Sequence, residues 1–301
     1  MLAVDTHPPT PVGRFARTVF VVGVCLTFGT GIGLFAVPGR TAGYWAWTIK
    51  APLSAAFFGG GYLGAAVALA LAASEREWRR TRTVAVMALT LTSLALLATL
   101  RALSQFAFHA GGVREAVTWT WLAVYVALPP LVFAAFVVQE RAGGAHEYDV
   151  QWPPLRATRA VMGVAGVVVG AIGVGLLADW GSLTARWPWP LPALPAGIVG
   201  AWLLTLASGL LWFAVRERDW SRARFGVGPM VVPLGLALVS AVRLHGGFGG
   251  RTATAVYLAG ISLLLVVIGA AALAEEHRLR AASAAPAVPA AMLEAGRTSL
   301  G

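Results

Sequence analysis

The sequence predicts an all-α integral membrane protein with eight transmembrane helices, arranged as two tandem parallel four-helix repeats. Three observations carry that prediction. Only 12% of the 301 residues are charged and 58% are hydrophobic, whereas a soluble domain carries about 25% charged residues. The apolar residues gather in blocks of about 20, the length that spans a bilayer's hydrocarbon core. The nonapeptide SEREWRRTR, residues 74–82, returns as RERDWSRAR at 216–224, with five of nine positions identical.

The blocks are Thr18–Val37, Leu53–Ala73, Thr83–Leu100, Val117–Val138, Ala160–Ala178, Ala196–Val215, Val227–Val242 and Ala253–Ala274. Each is expected to be a helix, because lipid offers no partner for backbone N–H and C=O groups. The first block follows Arg14 and Arg17, as a signal peptide would. It is longer than a typical apolar signal region and no A-x-A site follows, so it reads as a span. Pro129-Pro130 in the fourth block, and Pro229 and Pro233 in the seventh, are expected to kink or break their helices. Gly29-x-x-x-Gly33 and Gly166-x-x-x-Gly170 read as close helix packing. The lone cysteine, Cys25, excludes an intrachain disulfide and reads as a small core residue.

Charge sets the expected orientation. The N-terminus, the loops after the second, fourth and sixth blocks, and the C-terminus hold 16 of the 23 Lys and Arg; the four other loops hold 7. Cytoplasmic loops carry the excess of Lys and Arg, so both termini and both nonapeptides are expected in the cytoplasm of a plasma-membrane protein.

A shift of 142 residues aligns more than the motif. Arg17 meets Arg159, Trp45 and Trp47 meet Trp187 and Trp189, and Arg101 meets Arg243. Six residues are then lost, so that Trp121 falls on Tyr257 and Gln139-Glu140 on Glu275-Glu276. Four crossings per copy is an even number, so both copies enter the membrane in the same direction, related by an axis along its normal. The organisation is a tail (1–15), repeat A (16–141), a linker (142–158), repeat B (159–280) and a C-terminal tail rich in Ala and Pro (281–301), expected to be disordered. The first 13 residues have the same look.

Orientation alone accounts for the nonapeptides: arginines hold the loops in the cytoplasm and Trp78 and Trp220 sit at headgroup level. Glu75 and Glu217 are expected to pair with neighbouring arginines such as Arg79 and Arg218 on a continued helix. Anionic-lipid binding is the functional alternative.

No Asp, Glu, Lys or His lies within the eight blocks. That argues against transport coupled through a buried carboxylate and against intramembrane acid–base catalysis. The substrate-binding candidates are Arg101, Arg243, Trp45, Trp47, Trp187 and Trp189, at the ends opposite the motifs. Two guanidiniums brought to one cleft would hold a carboxylate or phosphate, and paired indoles an apolar chain. The simpler readings are arginines snorkelling to the interface and an aromatic belt. His109 and His245 do not align in the repeat and have no third ligand pattern, so no metal and no cofactor is expected.

The pattern WAWTIKAPLSAAFFGGGYLGA, then EREW-x-x-x-R, then ATLRAL, resembles a group of uncharacterised multi-pass membrane proteins of actinobacteria. The resemblance covers residues 44–141 and implies a membrane location and no activity. The residues point to a non-enzymatic protein that binds or transports an apolar or amphiphilic anion such as a lipid. The alternative is a structural or regulatory membrane subunit without a small-molecule substrate. The expected partners are membrane lipids, not nucleic acid.

Overall fold

The computed structural model describes residues 10–143, 150–178 and 181–284. The expectations for the first nine residues, for residues 144–149 of the linker and for the C-terminal tail beyond residue 284 lie outside these residues. Eight helices are long and apolar enough to cross a membrane: α1 Arg14–Ala36, α2 Pro52–Ser74, α3 Arg82–Arg101, α4 Gly112–Ala142, α5 Arg156–Leu177, α6 Ala193–Arg216, α7 Trp220–Arg243 and α8 Arg251–Ala284. Among the described residues there is no strand beyond an isolated bridge between Pro11 and Glu77.

The prolines behave unequally. Pro129 and Pro130 lie inside α4, which runs through them without a break. Pro229 interrupts α7, where the α-helix stops at Val227, passes through a 3-10 turn Gly228–Met230 and resumes at Val231. A proline ring cannot donate to the preceding turn, and the tighter 3-10 geometry absorbs the loss.

α2 and α6 are the most buried helices and α8 the least. The tightest pairs are α1 with α2 and α5 with α6, followed by two crossed pairs, α3 with α6 and α7 with α2. The two halves of the chain are therefore interlocked rather than side by side. Lipid supplies no hydrophobic drive between helices, so close approach depends on small residues. At Gly59 an added Cβ would sit 2.4 Å from the Phe35 backbone N, and at Gly200 it would sit 2.7 Å from Gly173 O and Leu177 N. The Gly166 motif packs as expected, against Leu211. The Gly29 motif does not: nothing lies within 4 Å of a Cβ at Gly29, and α1 packs instead through Gly31 against Leu63. Cys25 also turns outward and is exposed, not a core residue.

Several contacts recur when both partners are shifted by 142. Trp78 N–H donates to Thr10 O at 2.9 Å and Trp220 N–H to Trp152 O at 2.8 Å. Ala107 N–H donates to Ala46 O at 2.9 Å and Gly249 N–H to Pro188 O at 2.8 Å. Residues 10–12, read from sequence as part of a structureless tail, are thus held against the first nonapeptide.

Candidate functional site

The six sequence candidates divide into two helix-capping arginines and two pairs of touching tryptophans. Arg101 Nη1 donates to Leu177 O at the end of α5, and Arg243 Nη1 donates to Phe35 O at the end of α1, each at 3.0 Å. Each guanidinium caps the C-terminal end of a helix from the other half, where the negative end of the helix dipole favours a cation. The Arg243 guanidinium also lies over the Phe35 ring, 4.9 Å from its centroid.

The tryptophans are core residues, not a belt. Trp45, Trp47 and Trp189 are buried and Trp187 is half-buried. Trp45 and Trp47 stand edge-to-face with Trp121 at 5.5 and 5.0 Å. Trp187 and Trp189 meet Tyr257 in the same way at 6.1 and 5.1 Å. Trp189 Nε1 donates to Ser54 Oγ at 2.8 Å, whereas Trp47 Nε1 is buried without a partner. Shifted by 142, Ser54 becomes Ala196, which has no acceptor to offer. The W-x-W segments turn inward because their rings find better packing against α4 and α8 than at an interface.

Sequence reasoning missed an apolar cavity of about 160 Å³ between the two halves. Phe20 and Thr27 of α1, Gly64 of α2, Met87 of α3, Trp202 of α6 and Pro233 of α7 are among its lining, with Leu128 of α4 and Leu264 of α8. The lining threonines Thr27, Thr92 and Thr205 each donate to a carbonyl of their own helix at 2.7–2.8 Å. The two prolines singled out in α7 do border the cavity, and that was its one sequence signal.

The cavity favours the motif side of the bundle. On α3 its lining runs from Val84 to Thr92 and on α1 from Val19 to Thr27, the halves of those helices that begin near the motifs. Arg101 lies nine residues beyond Thr92, about 13 Å along the helix. None of the six sequence candidates lines the cavity.

The two nonapeptides meet beneath it. Arg222 Nε of the second donates to Glu77 Oε1 of the first at 2.7 Å, with both side chains largely buried. Arg80 pairs with Glu75 and Glu77 at 3.3 and 3.2 Å, and Arg222 with Asp219 at 3.4 Å. Arg82 reaches Glu140 at 3.0 Å and Arg224 reaches Glu276 at 3.1 Å. Trp78 and Trp220 are buried inside the protein. Trp78 stacks on Phe20 at 6.4 Å and donates to Glu140 Oε1 at 2.6 Å. The first motif is not a continued helix: α2 ends at Ser74 and a 3-10 turn, Trp78–Arg80, follows. Glu217 accepts a hydrogen bond from Trp212 Nε1 at 2.8 Å, and burial pushes its carboxyl above the usual range.

Comparison with family models, with curated proteins and with solved structures finds no match for this chain.

Proposed function

We propose that this polytopic membrane protein holds one hydrocarbon chain of an anionic amphiphile in the cavity between its halves. The observation that carries the reading is the cavity itself: about 160 Å³, at membrane depth, and lined almost entirely by apolar atoms. Apolar cavities of this size stay dry and accept apolar ligands. At about 24 cal/mol per Å³, leaving 160 Å³ empty costs about 4 kcal/mol relative to filling it. The threonines spend their donors on their own helices, so the cavity offers nothing to a charged head.

The head belongs outside. Arg14 and Arg141 are exposed where α1 begins and α4 ends, above two helices whose half-buried Thr27 and Leu128 line the cavity. A guanidinium at either position suits a carboxylate or phosphate. The excess of Lys and Arg on that side supports a cytoplasmic location for that end and for both termini. The molecule is best understood as two copies of a four-helix unit related by an axis along the membrane normal. The support is the set of contacts that recur at a shift of 142, with Arg101 and Arg243 each gripping the opposite copy.

The test is photo-crosslinking of the full chain in vesicles with a fatty acid carrying a mid-chain diazirine. Adducts are expected on Thr27, Met87 and their neighbours. Ala88→Trp, which fills the cavity from its α3 wall, is expected to remove them. Adducts confined to the outer faces of α5 and α8, unchanged by Ala88→Trp, would leave the molecule a structural subunit without a ligand.

A further inference from the structure

The duplicated motifs lie directly below the cavity, and their contacts are of the kind that close a space. Gly226 of α7 and Val84 of α3 both line it and follow their motifs within a few residues. At Gly226 an added Cβ would sit 2.5 Å from Thr83 Cβ, so the two helices cross there without room for a side chain. One layer further out the Glu77–Arg222 pair, at 2.7 Å, joins the motifs themselves. Trp78 lies against Phe20, a lining residue.

Burial divides the lining in the same sense. Val19, Phe20, Ala68, Val84 and Gly226, nearest the motifs, are all buried. Farther along the helices, buried lining residues such as Gly61, Leu91 and Thr92 stand beside half-buried ones, Leu26, Thr27, Ala88 and Leu128 among them. The motif end is therefore the closed one, and the half-buried residues mark the flank.

We infer that the paired nonapeptides form a seal that closes the cavity to water, so that the cavity fills sideways with chains already dissolved in the bilayer. The seal joins two segments distant in sequence by a largely buried ion pair and a zero-clearance helix crossing. Removing Arg222 cuts the ion pair that joins the motifs and leaves Glu77 to Arg80 of its own motif. The expected consequence is admission of water and small ions to the motif end. The inference rests on the cavity's shape and holds whichever lipid, if any, occupies it.

The experiment is thiol labelling of the full chain in sealed vesicles, in a Cys25→Ser background that leaves no other cysteine. Ala68→Cys reports the closed end and Thr27→Cys the flank. With intact motifs, Ala68→Cys is expected to resist a charged methanethiosulfonate applied from the motif side. Thr27→Cys is expected to react with a bilayer-dissolved maleimide and not with the charged reagent. Adding Arg222→Ala is expected to speed charged labelling of Ala68→Cys by about tenfold or more, as local opening becomes easier. Arg222→Lys, which keeps the charge, is expected to leave it slow. Rapid charged labelling of Ala68→Cys behind intact motifs overturns the inference, as does failure of the bilayer reagent to reach Thr27→Cys. Should Arg222→Ala not fold, those two intact-motif results still decide. Labelling needs no ligand, so loss of the diazirine adducts with this pattern preserved would sink the lipid reading alone.

Discussion

Glu217 shows how identical residues in two similar motifs take different partners. Glu75 is held by Arg80, but the matching Arg222 turns to Asp219 and to Glu77 of the other motif. Glu217 is left buried against Trp212. Burial raises its pKa most, Glu140 adds to that, and Arg82, the Trp212 hydrogen bond and Arg79 oppose it. A carboxyl whose folded pKa exceeds its unfolded value contributes stability below the unfolded value and loses it as pH rises through the folded one. Thermal stability in detergent is therefore expected to fall as pH climbs from the ordinary carboxylate range into the mildly acidic range. Glu217→Gln, which keeps an acceptor for Trp212, is expected to flatten that slope; an unchanged slope would assign it elsewhere. Arg101 and Arg243 act at the same scale as caps. Replacing either with Ala is expected to cost about 1 kcal/mol, near the typical value for an intramolecular hydrogen bond, because both sites are exposed. The two losses should be similar in thermal unfolding and leave lipid labelling unaltered.

At the scale of elements, helix contacts turn on where glycine lies, not on how glycines are spaced. Gly59→Ala and Gly200→Ala push a methyl into backbone and are expected to destabilise by about 1–3 kcal/mol. Gly29→Ala meets open space and is expected to be neutral or mildly stabilising, since glycine weakens a helix interior. Chemical denaturation of the three variants side by side checks this, and equal losses would contradict it. The contrast also marks what could be read in the sequence. All eight spans were legible, because a membrane dictates block length. Their ends were not: α4 and α8 run past their apolar blocks to Ala142 and Ala284, since polar residues at a helix end can leave the bilayer without leaving the helix. Gly29-x-x-x-Gly33 has the right spacing but the wrong rotation, and rotation depends on the neighbouring helix. Trp45, Trp47 and Trp78 are chemically suited to an interface, yet their segments fold inward. The cavity was nearly invisible, because its wall is assembled from seven helices whose crossings no local pattern encodes. The prolines of α7 hinted at it through backbone chemistry alone.

The whole molecule behaves as two interlocked halves around an apolar space. α3 packs on α6 of the other half as well as on α4 of its own, and α7 packs on α2 as well as on α8. That exchange brings the nonapeptides together at one end of the bundle, while Arg101 and Arg243 tie the halves at the other ends of their helices. It also leaves the apolar cavity, which α1, α2, α3 and α7 help to line. The most direct test is a density map of the full-length protein in a lipid nanodisc. An elongated feature between Thr27, Met87 and Pro233, emerging toward Arg14 and Arg141, is the expected result. A cavity collapsed onto Trp202, or one filled by discrete water-sized features connected to the motif end, would contradict the account.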